Sequence, residues 1–100
     1  MKTIRDYSYS FEHVKLRLLE RYHIDKFELP DYEKMNRAVR LCRDFNKICK
    51  EAKRVYGALY KDKYGDQEVW RYYGLHNSKR KDIKTVFSIS KNRVTTVLPP

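Results

Sequence analysis

Apolar residues recur three and four positions apart from Phe11 onward. Phe11, Val14, Leu18 and Tyr22 share one side of a helical wheel at about 100° per residue. His13, Arg17, Glu20 and Ile24 line a different side, with Arg21 at its edge. This spacing predicts a short helix over 10–22 that docks by its apolar stripe and shows a histidine and arginines outward. Residues 2–9 read as extended or irregular, with Ser8 and Ser10 available as helix caps. Residues 24–30 form a connector, and Pro30 followed by Asp31 signals a new helix start.

A second pattern of the same period runs from Asp31 to about Tyr60 through Met35, Ala38, Cys42, Phe45, Cys49, Ala52, Tyr56 and Leu59. Its opposite face carries Arg37, Arg40, Asp44, Lys47, Glu51 and Arg54. One long basic helix, or two broken near Asn46, satisfies the pattern. A polar break follows over 61–67, with Tyr64-Gly65-Asp66 as its turn. The period then drops to two. Residues 68–76, 82–90 and 93–98 read as strands rich in Val, Ile, Thr and aromatics. A basic loop, 77–81, joins the first pair, and Lys91-Asn92 would serve as a two-residue hairpin turn for the second. Closed with Ser90 opposite Arg93, that hairpin puts Thr85, Phe87, Ile89, Val94, Thr96 and Leu98 on its core side. The predicted architecture is α+β: N-terminal helices, one short and one long and basic, packed on a C-terminal antiparallel sheet of three to four strands. The whole chain, 1–100, reads as a single domain.

Charge narrows the partners. Lys and Arg number 23 against 13 Asp and Glu, a formal +10. A field of that sign attracts polyanions. RNA comes first, with DNA, an acidic protein such as an antitoxin or host factor, and an anionic membrane surface as alternatives. No apolar run approaches the roughly 20 residues of a bilayer span, and Met-Lys-Thr-Ile-Arg-Asp lacks a signal-peptide core. A cytoplasmic location is expected, the host's if the chain is phage-encoded. Cys42 and Cys49 lie about 10.5 Å apart along one helix face, too far for a disulfide, so both are expected as reduced thiols. Heptad-like spacing over 35–59 leaves both a monomer and a homodimer open.

Among the residues able to do chemistry, His13 stands out, because an imidazole titrates near neutrality and can both accept and donate a proton. Arg17, one turn later, would bind a phosphate or stabilise charge developing on phosphorus. The bland alternative is that both sit on the wet side of an amphipathic helix. No Cys/His/Asp spacing forms a metal site and no glycine pattern forms a nucleotide loop, so neither metal nor cofactor is expected. Basic groups cluster twice, in a helical set containing Arg40 and Lys47 and in a sheet-side set containing Lys79, Arg80, Lys84 and Arg93. Tyr72 and its neighbours on the adjoining strand offer rings for base stacking, which suits single-stranded RNA; core packing claims Trp70 and Tyr73 equally.

The pattern His13-x3-Arg17-x2-Glu20-Arg21-x2-Ile24, followed later by a hairpin ending Val-Thr-Thr-Val-Leu-Pro99, resembles small phage and toxin-type proteins. These belong to the barnase–EndoU–colicin–RelE-like ribonuclease superfamily. The resemblance covers roughly 8–32 and 82–99. It implies helices packed on an antiparallel sheet and a metal-independent endoribonuclease. His13, Arg17, Arg21 and Thr95 would be its active residues, with Thr96 replacing Thr95 if the hairpin register shifts. Lys84, Arg93 and Tyr72 would hold neighbouring nucleotides. A binding module of the same fold, without catalysis, is the alternative.

Overall fold

A computed structural model of the chain describes residues 4–45, 57–75 and 82–100. Two helices, α1 (Ile4–Tyr22) and α2 (Leu29–Phe45), precede four strands, β1 (Ala58–Tyr64), β2 (Gln67–Tyr72), β3 (Ile83–Ser88) and β4 (Arg93–Val97). The strands form one sheet in chain order, every neighbouring pair antiparallel. This is the α+β layout that the change of period predicts.

The periodicity sets which side of each element is covered. From α1 the core takes Val14, Leu18 and Tyr22, and from α2 it takes Tyr32, Met35, Ala38, Val39 and Cys42. Alternate residues of the sheet meet them: Ala58, Trp70, Tyr72, Ile83, Phe87, Val94 and Val97. The opposite face of the sheet carries Leu59, Val69, Arg71, Lys84, Val86 and Thr96, which the strand register places together.

Helix ends follow from local chemistry. At the start of α2, the Asp31 carboxylate accepts the Glu28 N–H at 2.9 Å while the Asp31 and Tyr32 N–H groups return to the Glu28 carbonyl. The Asp31 side chain thereby supplies one half of a capping box, reaching back to the N–H of the residue before the helix. At the end of α1, His23 adopts a left-handed φ of 58°, and the N–H groups of His23 and Ile24 bond the carbonyls of Leu19 and Leu18. That reversal sends the chain back toward the core, where Ile24 and Phe27 are buried.

Both helices also close one edge of the sheet. Asn36 accepts the Val94 N–H at 2.7 Å, and Tyr32 Oη donates to the Val94 carbonyl at 2.5 Å. Arg21 Nη1 donates to the Val97 carbonyl at 2.5 Å, and Tyr22 Oη to the Leu98 carbonyl at 2.7 Å. At Val94 and Val97 side chains thereby satisfy backbone groups of β4 that an edge strand would leave to solvent or to another chain, while Tyr22 Oη bridges the Lys84 N–H and the Leu98 carbonyl just past the strand's end.

Four differences from the sequence pattern matter. First, α1 begins at Ile4, so residues 4–9 are helical rather than extended, and Ser10 is a buried mid-helix residue instead of a cap. The stripe simply continues backward through Tyr7, which packs on the core. Second, α2 ends at Phe45 and residues 58–64 are strand, replacing both the helix end and the polar break; residues 46–56, with Lys47 and Cys49, lie outside the described residues. Third, β2 stops at Tyr72, short of the predicted end at 76; His76 and the basic loop, with Lys79 and Arg80, also lie outside the described residues.

Fourth, the last hairpin closes as a four-residue turn over 89–92, with Ser88, not Ser90, opposite Arg93. Asp66 organises it. Its carboxylate accepts from Ser88 Oγ at 2.9 Å, Ser90 Oγ at 2.8 Å and the Ser90 N–H at 2.9 Å. The ladder then skips one residue, since Phe87 pairs with Val94 and Val86 with Thr96. Thr95 is the extra residue of this bulge, which turns Val97 into the core and leaves Thr96 half-exposed.

Candidate nucleic-acid interface

Helix α1 lies along β4 with the two running in the same sense. Ser10 meets Arg93 near one end, and Arg21 and Tyr22 meet Val97 and Leu98 near the other. His13, Arg17 and Arg21 follow one another at single-turn spacing, so they form a row on the flank of α1 next to its docked stripe. The helix and the strand that carry the four candidate active residues are therefore in contact.

The side chains themselves have separate engagements. The half-exposed His13 ring lies parallel to Tyr9, at 10° with centroids 6.3 Å apart, and Tyr9 is 71% exposed. Arg17 Nη1 bonds Glu20 Oε1 at 2.6 Å, an ion pair on the surface. Arg21 is held by the Val97 carbonyl. Thr95 Oγ1 reaches back to the Val86 carbonyl at 3.5 Å, a long and weak bond. Among the described residues, no hydrogen bond joins His13 to Thr95 or to Arg21.

Two residues expected to hold nucleotides belong to the interior instead. Tyr72 is 1% exposed and packs in the main core, where burial and the nearby Asp31 charge push its hydroxyl up to about 12. No base can stack on it while the sheet is intact. Arg93 is 3% exposed; its Nε donates to Ser10 Oγ at 3.0 Å and its guanidinium lies over the Tyr7 ring at 5.7 Å. Its charge is spent joining β4 to α1. Trp70 is likewise buried, its indole N–H bonded to Glu68 at 3.0 Å. Arg40 is engaged as well: Nε and Nη2 both donate to the Asn92 carbonyl, at 2.9 and 2.6 Å, pinning the hairpin turn to α2.

Other groups remain turned outward. Lys84 is half-exposed on the face of the sheet turned away from the main core, directly opposite Arg71. Tyr9 is the aromatic that the sequence pattern did not nominate. The signal for it was its place four residues before His13, legible only once the helix is extended back beyond Ser10.

No family model, curated protein or solved structure matches the chain. The site's chemistry therefore rests on its own residues. Among the described residues no cluster of His, Cys, Asp and Glu is arranged to hold a metal ion, and no helix is long and apolar enough to cross a membrane.

Proposed function

We propose that the chain binds single-stranded RNA along the exposed flank of α1 and cleaves it at His13. The observation that carries this reading is the packing of α1 along β4, which brings the helix of His13, Arg17 and Arg21 against the strand that carries Thr95 and Thr96. A base stacks on Tyr9 next to His13. The imidazole removes the ribose 2′-OH proton and the 2′-oxygen attacks phosphorus. The P–O5′ bond breaks as P–O2′ forms, and the proton passes from the imidazolium to the departing 5′-oxygen. Arg17, released from its surface pair with Glu20, neutralises charge on the non-bridging oxygens, and Thr95, or Thr96 in the shifted hairpin register, positions one of them. The products are a 2′,3′-cyclic phosphate and a 5′-hydroxyl, and no step calls on a metal ion.

The test is incubation of the full chain with a mixed-sequence RNA in EDTA, with end-group analysis of the fragments. Cyclic phosphate ends that disappear in His13→Ala, with RNA affinity changed by less than about threefold, are the expected result. Full cleavage by His13→Ala sinks the mechanism.

The engagements of Arg17 and Arg21 favour a second reading, in which the basic surface binds RNA and cuts nothing. Both guanidinium groups already have acceptors, Glu20 and the Val97 carbonyl. Salt-sensitive binding with intact RNA recovered after prolonged incubation selects this reading over the first.

A further inference from the structure

The face of the sheet turned away from the main core holds a charge arrangement that the α1 site does not use. Arg71 on β2 stands directly opposite Lys84 on β3, two cations on one face in paired register. Like charges placed so destabilise a sheet. On the other side of Arg71, Leu59 is its partner on β1, and a hollow of about 280 Å³ is lined by Leu59, Tyr60, Lys61 and Arg71. Lys61 is exposed, and the Arg71 and Asp82 side chains are 38% and 33% exposed.

Nearby acids offset this only in part. The Asp82 carboxylate is 3.7 Å from Arg71 Nε, beyond hydrogen-bonding distance. Asp62, further along β1, directs its carboxylate to the Tyr64 hydroxyl at 2.7 Å and the Lys63 N–H at 2.8 Å. Lys61 and Arg71 thus line a shallow hollow with Lys84 across the ladder from Arg71, and the Asp82 carboxylate leaves the guanidinium incompletely bonded. A tetrahedral oxyanion relieves the Arg71–Lys84 repulsion, and the planar guanidinium is suited to take it in two bonds.

We infer that Lys61, Arg71 and Lys84 form a phosphate subsite that holds the backbone of a bound RNA on the face of the sheet opposite α1. This rests on the RNA-binding reading and extends it, because the strand must then pass around the molecule rather than end at the α1 site. Residues on strands hold such a site in a fixed register, which favours a defined phosphate spacing over diffuse attraction.

The experiment compares wild type with Arg71→Gln/Lys84→Gln and with a control pair of equal charge change, Lys26→Gln/Lys34→Gln, both exposed and outside both the sheet and the lining of the hollow. RNA affinity is measured by fluorescence anisotropy from 50 to 200 mM salt. The subsite pair should lose roughly tenfold or more at 50 mM salt, and its slope of log K against log salt should fall by about 1.4, near 0.7 per lost contact on a single strand. The control should lose less than a third of that slope. Removing the like-charge pair should leave the melting temperature unchanged or raised, so weak binding cannot be laid to misfolding. In parallel, tripolyphosphate should raise the wild-type melting temperature and fail to raise that of the subsite pair. Equal losses in the two double variants overturn the subsite. If wild type binds no RNA, the RNA reading falls; the tripolyphosphate response then decides the anion site alone, and its absence overturns that too.

Discussion

His23 shows how much a single backbone angle can cost. It is exposed and its φ of 58° places it in the left-handed region, where a Cβ crowds the following carbonyl at about 1–2 kcal/mol. The turn is needed, since it ends α1 and returns Ile24 to the core. The side chain is not needed for it. His23→Gly should therefore stabilise the fold by about 0.5–1 kcal/mol after the added unfolded-state freedom of glycine is subtracted, measured as a rise of several degrees in melting temperature. Asn92, at the same φ, should gain less on replacement by glycine, because Asn tolerates this region. Residue identity alone misled at Tyr72 and Arg93. An aromatic and a cation on alternating strands look the same in sequence whether they face water or the interior. Tyr72 shares the covered face with Ala58 and Ile83, and the backward extension of α1 brings Tyr7 and Ser10 over Arg93; neither has a sequence marker as strong as an Asn-Gly turn.

Among elements, β4 depends most on others for its backbone bonds. Its inner edge pairs with β3, and its outer edge is satisfied by side chains from both helices. Asn36→Ala should leave the buried Val94 N–H without its acceptor, at a cost of about 1–3 kcal/mol. Urea melts of the variant should show the midpoint lowered with the slope unchanged. Helix α2 and strands β2 and β3 were legible because their apolar spacing keeps one period, whereas β4 was legible as a strand but not in its alternation, which the bulge at Thr95 breaks. Strand β1 was not: its Lys61-Asp62-Lys63 centre is exposed and carries no alternation, while Ala52, Tyr56 and Leu59 prolong a helical spacing across it. The tell was the Gly65-Asp66 turn, which needs a strand on each side and has a left-handed glycine at 60°.

For the molecule as a whole, function and stability draw on different charges. A net +10 was evident at once, yet which cations face outward was not, because Arg21, Arg40, Arg43 and Arg93 all serve as internal ties. Aromatic hydroxyls carry a second global signature. Burial pushes Tyr32 up to about 12 despite the opposing Asn36 hydrogen bond and the Arg93 and Arg40 charges, and burial with Asp31 pushes Tyr72 to the same value. Tyr7 moves the same way through burial and its bond to Glu33. In the unfolded chain these hydroxyls ionise near pH 10. Below that pH both states hold the proton and the stability is fully present. Above it the unfolded chain gives up protons that the folded chain keeps, so stability should fall between pH 10 and about 12. Denaturation midpoints across that window should decline more steeply for wild type than for Tyr72→Phe, which lacks one of the shifted groups while sharing every other ionisation. Parallel curves for the two proteins would mean that the Tyr72 hydroxyl is not shielded from water as the sheet requires.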